Sequence, residues 1–264
     1  MLITVFSLCA LLGAIVGVLA GLLGIGGGLV IVPALVYLLP QLGVEASLVM
    51  PMALATSLGT IVVTSSSAML AHHKNANIPW DIAKPLIIVV ALGSFSGAFI
   101  ADILSTEALQ NFFATAVLVL ASYMLFALRS ERSRPMPSIY VLQLASFIVG
   151  VIASLMGMAG GAILVPVLTY FGVSLRHSIG IATVCGIAVA LAGATGYIYT
   201  GLDKADLPSW SIGYVYLPAL LGIVLTSSVF APLGVKLAAK LPVKSLKKVF
   251  ALFLILVAIE MMYN

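Results

Sequence analysis

The chain has 264 residues, of which 62% are hydrophobic and only 8% charged, with a formal net charge of +4. Soluble domains carry roughly 25% charged residues, so no water-facing surface can be built from this composition, and the unit of organisation is the membrane span of about 20 apolar residues. The basic residues sit in short clusters between apolar runs, which suits loops beside anionic lipid and excludes the basic, aromatic-laced patch that nucleic acid requires.

In chain order, the N-terminus opens Met1-Leu2-Ile3-Thr4-Val5 with no Lys or Arg before the apolar run. That run exceeds a signal-peptide core and reads as a retained segment. Apolar runs fall at roughly 3–23, 28–40, 47–70, 84–103, 107–128, 138–157, 161–172, 178–200, 212–233 and 246–263. Most can cross a hydrocarbon core about 30 Å thick as helices. The runs 28–40 and 161–172 are too short for an ordinary span, and each follows a glycine-rich break, Gly24-Ile25-Gly26-Gly27-Gly28 and Gly157-Met158-Ala159-Gly160-Gly161.

The chain repeats itself. Gly27-Gly28 through Pro33 to Tyr37 lines up with Gly160-Gly161 through Pro166 to Tyr170, Ala55-Thr56 with Ala182-Thr183, and Leu109 to Ala114 with Leu246 to Ala251. The reading is an all-α polytopic membrane protein of two transmembrane repeats, residues 1–128 and 138–264, joined by a basic cytoplasmic linker at 129–137. Cytoplasmic loops carry excess Lys and Arg. The linker (Arg129, Arg132, Arg134), the 236–248 loop and the weaker His72-His73-Lys74 and Lys84 cluster are therefore expected inside. The 102–107 and 201–209 loops, with Asp102, Glu107, Asp203 and Asp206, are then outside. This requires an odd number of crossings per half. Either the short run after each break crosses fully, or it pairs with the preceding helix as a re-entrant hairpin. Both options make the repeats inverted and put both termini outside an inner (plasma) membrane.

The glycine breaks carry the chemistry. Backbone leaving a helix at membrane depth must line protein or a watery cavity. A helix beginning there aims free N–H groups and its positive dipole end at that cavity, which makes an anion site. Transporters with inverted repeats place paired half-helices near the midplane in this way. The competing reading is that the glycines only allow close helix packing. Gly26, Gly27, Gly28, Gly160 and Gly161 are the candidate contacts, and Pro33 and Pro166 shape the half-helices. Thr56, Ser57 and the matching Thr183 could donate hydroxyls to an anion, or could bond back to their own helices.

Other features point to local roles. Ser65-Ser66-Ser67 reads as packing, His72 and His73 as a solvated basic edge, and Arg176 as a headgroup anchor. No carboxylate lies deep in a span, so a buried proton relay is not evident. Selectivity would come from dipoles and hydroxyls, which favours a weakly hydrated or small oxyanion. No G-x-S-x-G elbow and no ATP-binding motif is present, so an enzyme or direct ATP driving is not expected. Cys9 and Cys185 form no metal or redox spacing, and no cofactor or metal is expected.

Gly24 to Gly28 through Pro33, Ala55-Thr56-Ser57, Gly160-Gly161 through Pro166, Ala182-Thr183, and the end from Gly234-Val235-Lys236-Leu237 through Phe250 resemble the TauE/SafE family of sulfite exporters, the TSUP transporters. The likeness covers nearly the whole chain and its repeat layout. It implies secondary transport of a small sulfur-containing anion such as sulfite, thiosulfate or sulfoacetate, by alternating access; a passive anion channel is the alternative. It carries the family's glycine region to Gly26, Gly27 and Gly28, whereas Ala159 stands where the first copy has Gly26. The expected partners are that anion, the lipid bilayer and, as an option, further copies of the chain.

Overall fold

The computed structural model describes residues 2–23, 27–126, 137–204, 206–238 and 243–263. Gly26 and the linker up to Met136 lie outside the described residues. The first half forms α1 (Leu2–Leu23), α2 (Gly28–Gln41), α3 (Ala46–Lys74), α4 (Trp80–Ile103) and α5 (Thr106–Phe126). The second forms α6 (Ile139–Leu155), α7 (Gly161–Tyr170), α8 (Leu175–Gly201), a two-stranded hairpin of β1 (Ser211–Ile212) and β2 (Val215–Tyr216), α9 (Leu217–Ala238) and α10 (Val243–Tyr263). Apart from residues 212–216, the apolar runs of the sequence become helices because only intrasegment hydrogen bonds satisfy a backbone that lipid cannot. Among the described residues, five helices are long and apolar enough to cross a membrane: those within 46–66, 80–103, 106–125, 175–201 and 217–234. Ile88, Ile103, Val119, Leu144 and Val229 stand exposed on helix surfaces, an arrangement that suits lipid contact and not water. The fold is all-α and polytopic.

The halves are interleaved. The first helix of each half packs on the fourth helix of the other, α1 on α9 and α6 on α4. Glycines set these contacts by letting backbones touch. Gly13 lies against Ile223 and Gly17 against Ser227, so α1 and α9 run in the same direction. Gly93 lies against Phe147 and Gly97 against Val151 and Ser154, so α4 and α6 do as well. The equivalent helices α3 and α8 run antiparallel: Gly180 abuts Asn77, just past the end of α3, while Gly193 abuts Leu58. So do α5 and α10, where the Gln110 side-chain amide donates to the carbonyl of Met261 at 2.7 Å.

One stretch departs from the expected pattern. Residues 212–216 belong to an apolar run that reads as the start of a span, yet they form a β-hairpin and the helix begins at Leu217. The segment Trp210-Ser211-Ile212-Gly213-Tyr214-Val215-Tyr216 is rich in aromatic and β-branched residues that favour strands. Gly213 supplies a turn at φ +52°, and Pro218 suits only the first turn of the helix that follows.

Candidate functional site

The second glycine break is built from the end of α6. Met158 N–H donates to Ala153 O at 3.0 Å and Gly157 N–H to Ser154 O at 3.1 Å, with Gly157 at φ +58°. This is the glycine-dependent helix stop in which a left-handed residue lets the chain close its last carbonyls. Gly160, at φ +72°, then opens α7, and its carbonyl accepts from Ile163 and Leu164 at 3.1 and 2.8 Å. No side chain caps this start. Among the described residues the N–H groups of Gly161 and Ala162 meet no acceptor. A methyl group at Gly161 would touch only Ala182 Cβ, at 4.0 Å. The helix start thus carries two unpaired amides, with room for a small side chain beside the Gly161 Cα.

Helix α2 also starts at a glycine, though here in the right-handed region, at φ −62°. Gly27 carries the carbonyl that receives Val30 and Ile31 N–H, at 3.0 and 2.9 Å. Gly27 lies back against Val16 of α1, and Gly160 lies back against Ala153 and Val149 of α6. The starts of both short helices therefore lie against the helix that precedes them. The two tips meet: Gly28 is buried directly against the carbonyl of Gly157 and Cα of Met158.

Helix α3 holds this junction. Ser57 Oγ donates to Gly157 O at 2.7 Å, with both groups buried. Thr60 Oγ1 donates to Ser57 O at 2.7 Å, within its own helix. Thr56 Oγ1 accepts the N–H of Tyr216 at 3.0 Å. Its sequence counterpart Thr183 behaves differently, donating to Ile179 O at 2.8 Å one turn back. Gly28, Ser57 and the Gly157 carbonyl are thus gathered at one point, with Gly160 and Gly161 a few residues on and Thr183 beside Ala182. Gly26 falls outside the described residues.

Three participants escape the sequence reading. Gly157 is visible there only as part of a break, although an apolar helix running into a glycine is a recognisable stop signal. Tyr216 carries no local mark of its bond to Thr56. Tyr197, fully buried on α8, donates from its hydroxyl to Ser154 O at 3.3 Å, the same carbonyl that closes α6.

A cavity of about 1010 Å³ opens at the bundle end formed by the α2–α3, α4–α5 and α8–α9 connections. Glu45, Asp102, Glu107, Asp203, Asp206 and Lys204 line it. Lys204 Nζ lies 3.2 Å from Asp102 Oδ1, and Tyr214 donates its hydroxyl to the same oxygen at 2.7 Å. At the far end, His72 Nδ1 lies 3.3 Å from the Asn77 side-chain amide and the His73 ring stands edge-on to Trp80. Ser66 Oγ donates to Val62 O at 2.6 Å, inside its own helix. Among the described residues no cluster of His, Cys, Asp and Glu could hold a metal ion.

The family model described as "Sulfite exporter TauE/SafE" matches residues 9–261. A "Probable membrane transporter protein" of Haemophilus influenzae is 41% identical over 263 residues, covering 98% of each chain. A "Probable membrane transporter protein" of Methanocaldococcus jannaschii is 25% identical, covering 91% of this chain and 89% of its own. The YunE protein of Bacillus subtilis, named in the same words, is 25% identical and covers 98% of both chains. No solved structure matches the chain significantly. The family match takes in both halves and both glycine breaks, and the chain belongs to the sulfite exporter TauE/SafE family of membrane transporters.

Proposed function

We propose that the chain is a secondary transporter that carries a small sulfur-containing oxyanion or organosulfonate, such as sulfite, thiosulfate or sulfoacetate, by alternating access. The anion sits at the junction of the two breaks, before the start of α7. The observation that carries this reading is the uncapped α7 N-terminus, where the amides of Gly161 and Ala162 have no acceptor among the described residues and Gly161 has room beside its Cα. Partial positive charge at a helix start is a ready anion site, and it needs no buried Lys or Arg. Thr183 supplies a hydroxyl near it when its bond to Ile179 is exchanged.

The two halves act as inverted repeats in this scheme. The antiparallel course of α3 against α8 and of α5 against α10 supports that arrangement, as does the cross-packing of α1 on α9 and α6 on α4. Both short helices are re-entrant in this scheme, a reading supported by the packing of Gly27 against α1 and of Gly160 against α6. The acidic connections share one end and the His72–Lys74 edge lies with Arg176 and His177 at the other. Under the positive-inside rule the cavity end is external in an inner membrane.

Thermal unfolding of the purified protein with sulfite, thiosulfate, sulfoacetate and taurine, against acetate and chloride, tests the reading. A ligand at 100 times its Kd stabilises the native state by about 2.7 kcal/mol. Gly161→Val fills the space beside the first amide of α7 and should abolish the shift while the protein stays folded. An undiminished shift in that variant removes the α7 site. In proteoliposomes the flux should saturate and show counterflow; linear, non-saturating flux makes the protein a channel instead.

A further inference from the structure

We propose that the segment Trp210–Tyr216 is a gate: a strap that forms the floor of the acidic cavity and seals it from the junction of the breaks. It enters from the surface, where Trp210 is 66% exposed, and dives into the bundle, where Tyr214, Val215 and Tyr216 are 3%, 4% and 6% exposed. A non-helical segment buried among membrane helices is tolerated where it borders protein or a water-filled cavity, and this one does both. Tyr214 lines the cavity. Two residues later, the Tyr216 N–H is bonded to Thr56, whose neighbour Ser57 holds Gly157.

The geometry orders these elements along one line. On α3 the cavity reaches Pro51 and stops. Thr56 lies five residues further, about 7.5 Å along the helix axis at 1.5 Å per residue. The strap occupies that interval. It is fastened on three sides. Tyr214 donates its hydroxyl to Asp102 on α4, which Lys204 also engages. Tyr214 N–H bonds Tyr197 O at 3.4 Å, and the two rings meet edge to face at 6.4 Å. Gly213 lies flat against the backbone of Ile198. Through Tyr197, whose hydroxyl bonds Ser154 O, the strap also touches the helix stop that shapes the second break. The first half has no equivalent, because only residues 75–79 join α3 to α4. The gate therefore serves one end of the path.

The proposal uses the preceding section only for where the path leads, and its test reads access, not solute. In a Cys9→Ala/Cys185→Ala background, a Gly161→Cys reporter is exposed in sealed proteoliposomes to a membrane-impermeant methanethiosulfonate. A Glu107→Cys reporter, in the cavity mouth, gives the share of molecules whose cavity faces the bath. With the strap intact, Gly161→Cys in that share should react at least tenfold more slowly than Glu107→Cys. Asp102→Asn with Tyr214→Phe should speed it tenfold or more, and Asp102→Glu, which keeps the carboxylate, should leave it slow. Tyr214→Phe alone removes one hydroxyl and should give about threefold; if the double variant does not fold, this single variant decides in its place. Rates unchanged in the loosened variants, or a reporter as fast as Glu107→Cys with the strap intact, overturn the gate. Neither result depends on which anion is carried.

Discussion

Replacing Gly28 with Ala tests whether the two breaks meet as described, and Gly161→Ala is its matched control. Both glycines open a short helix after a break, at equivalent sequence positions. At Gly28 the new methyl would meet the Gly157 carbonyl oxygen and stand 3.0 Å from Met158 Cα and 3.3 Å from the Gly157 carbonyl carbon. Carbon atoms prefer about 3.5–4.0 Å, and all three neighbours are backbone, so no side chain can swing away. Overpacking of this kind costs about 1–3 kcal/mol, and rigid neighbours argue for the upper end. The substitution also stiffens the unfolded chain, which returns about 0.4–1 kcal/mol. The net expectation is a loss of about 2 kcal/mol. At Gly161 the methyl meets only Ala182 Cβ at 4.0 Å, so the chain-stiffening gain remains and the variant should be level with the parent or slightly more stable. Equilibrium unfolding in mixed detergent micelles would show a gap of about 2–3 kcal/mol between the variants. Equal stabilities, within about 0.5 kcal/mol, would refute the contact between Gly28 and Gly157 and with it the convergence of the tips.

Ser57→Ala removes the donor to Gly157 O and should cost about 1–2 kcal/mol, the upper part of the range for interhelical hydrogen bonds in membranes, in the same unfolding assay; Thr183→Val, which removes only a bond to its own helix, should cost less than about 0.5 kcal/mol. Gly150→Ala would drive a methyl into the Val90 carbonyl of α4 and should destabilise by about 2 kcal/mol, seen as early melting of the purified protein. Lys204→Ala should barely change stability, because its partly exposed pair with Asp102 belongs to a class worth about 0–1 kcal/mol; a large loss would mean that the pair is more enclosed than its exposure indicates.

The sequence reads the helices well and their neighbours poorly. The expected run 84–103 becomes α4 from Trp80 to Ile103, and the short run 161–172 becomes α7 from Gly161 to Tyr170, because apolar length and glycine stops are local signals. Partner choice is not local. In a soluble helix a polar stripe marks the outer face, but here both faces are apolar. Lipid-facing Ile88 and core-facing Leu86 sit two residues apart on α4 and differ in nothing a hydropathy pattern detects. The glycines that do select partners, such as Gly93 and Gly150, resemble every other small residue in a span. At the candidate site, the repeated glycines and Ser57 were legible. The bond from Tyr216 to Thr56 spans 160 residues and could not be read from either end. The β-hairpin was hidden for a related reason: an aromatic, β-branched stretch continuous with a helix has the same apolar length as a longer helix.

The departures from symmetry between the halves fall where they would set a direction. In the alternating-access scheme proposed above, a perfect inverted repeat would exchange the conformations of identical halves between its inward-open and outward-open states, so the protein itself would favour neither. This chain breaks that equality at the junction. Ser57 ties α3 to the second break, while the matching position on α8 is Val184, which has no donor. Thr56 fastens the strap, while Thr183 turns back on its own helix. Ala159 packs against Gly186 where the first copy carries Gly26. Only contacts that differ between two states can shift their populations. If the bonds of the strap and of Ser57 are made in one end state and lost in the other, a difference of about 1–2 kcal/mol changes the ratio of the states about 5- to 30-fold. Under the proposed mechanism that is enough to fix which side the empty carrier faces at rest, while leaving the opposite state accessible for turnover.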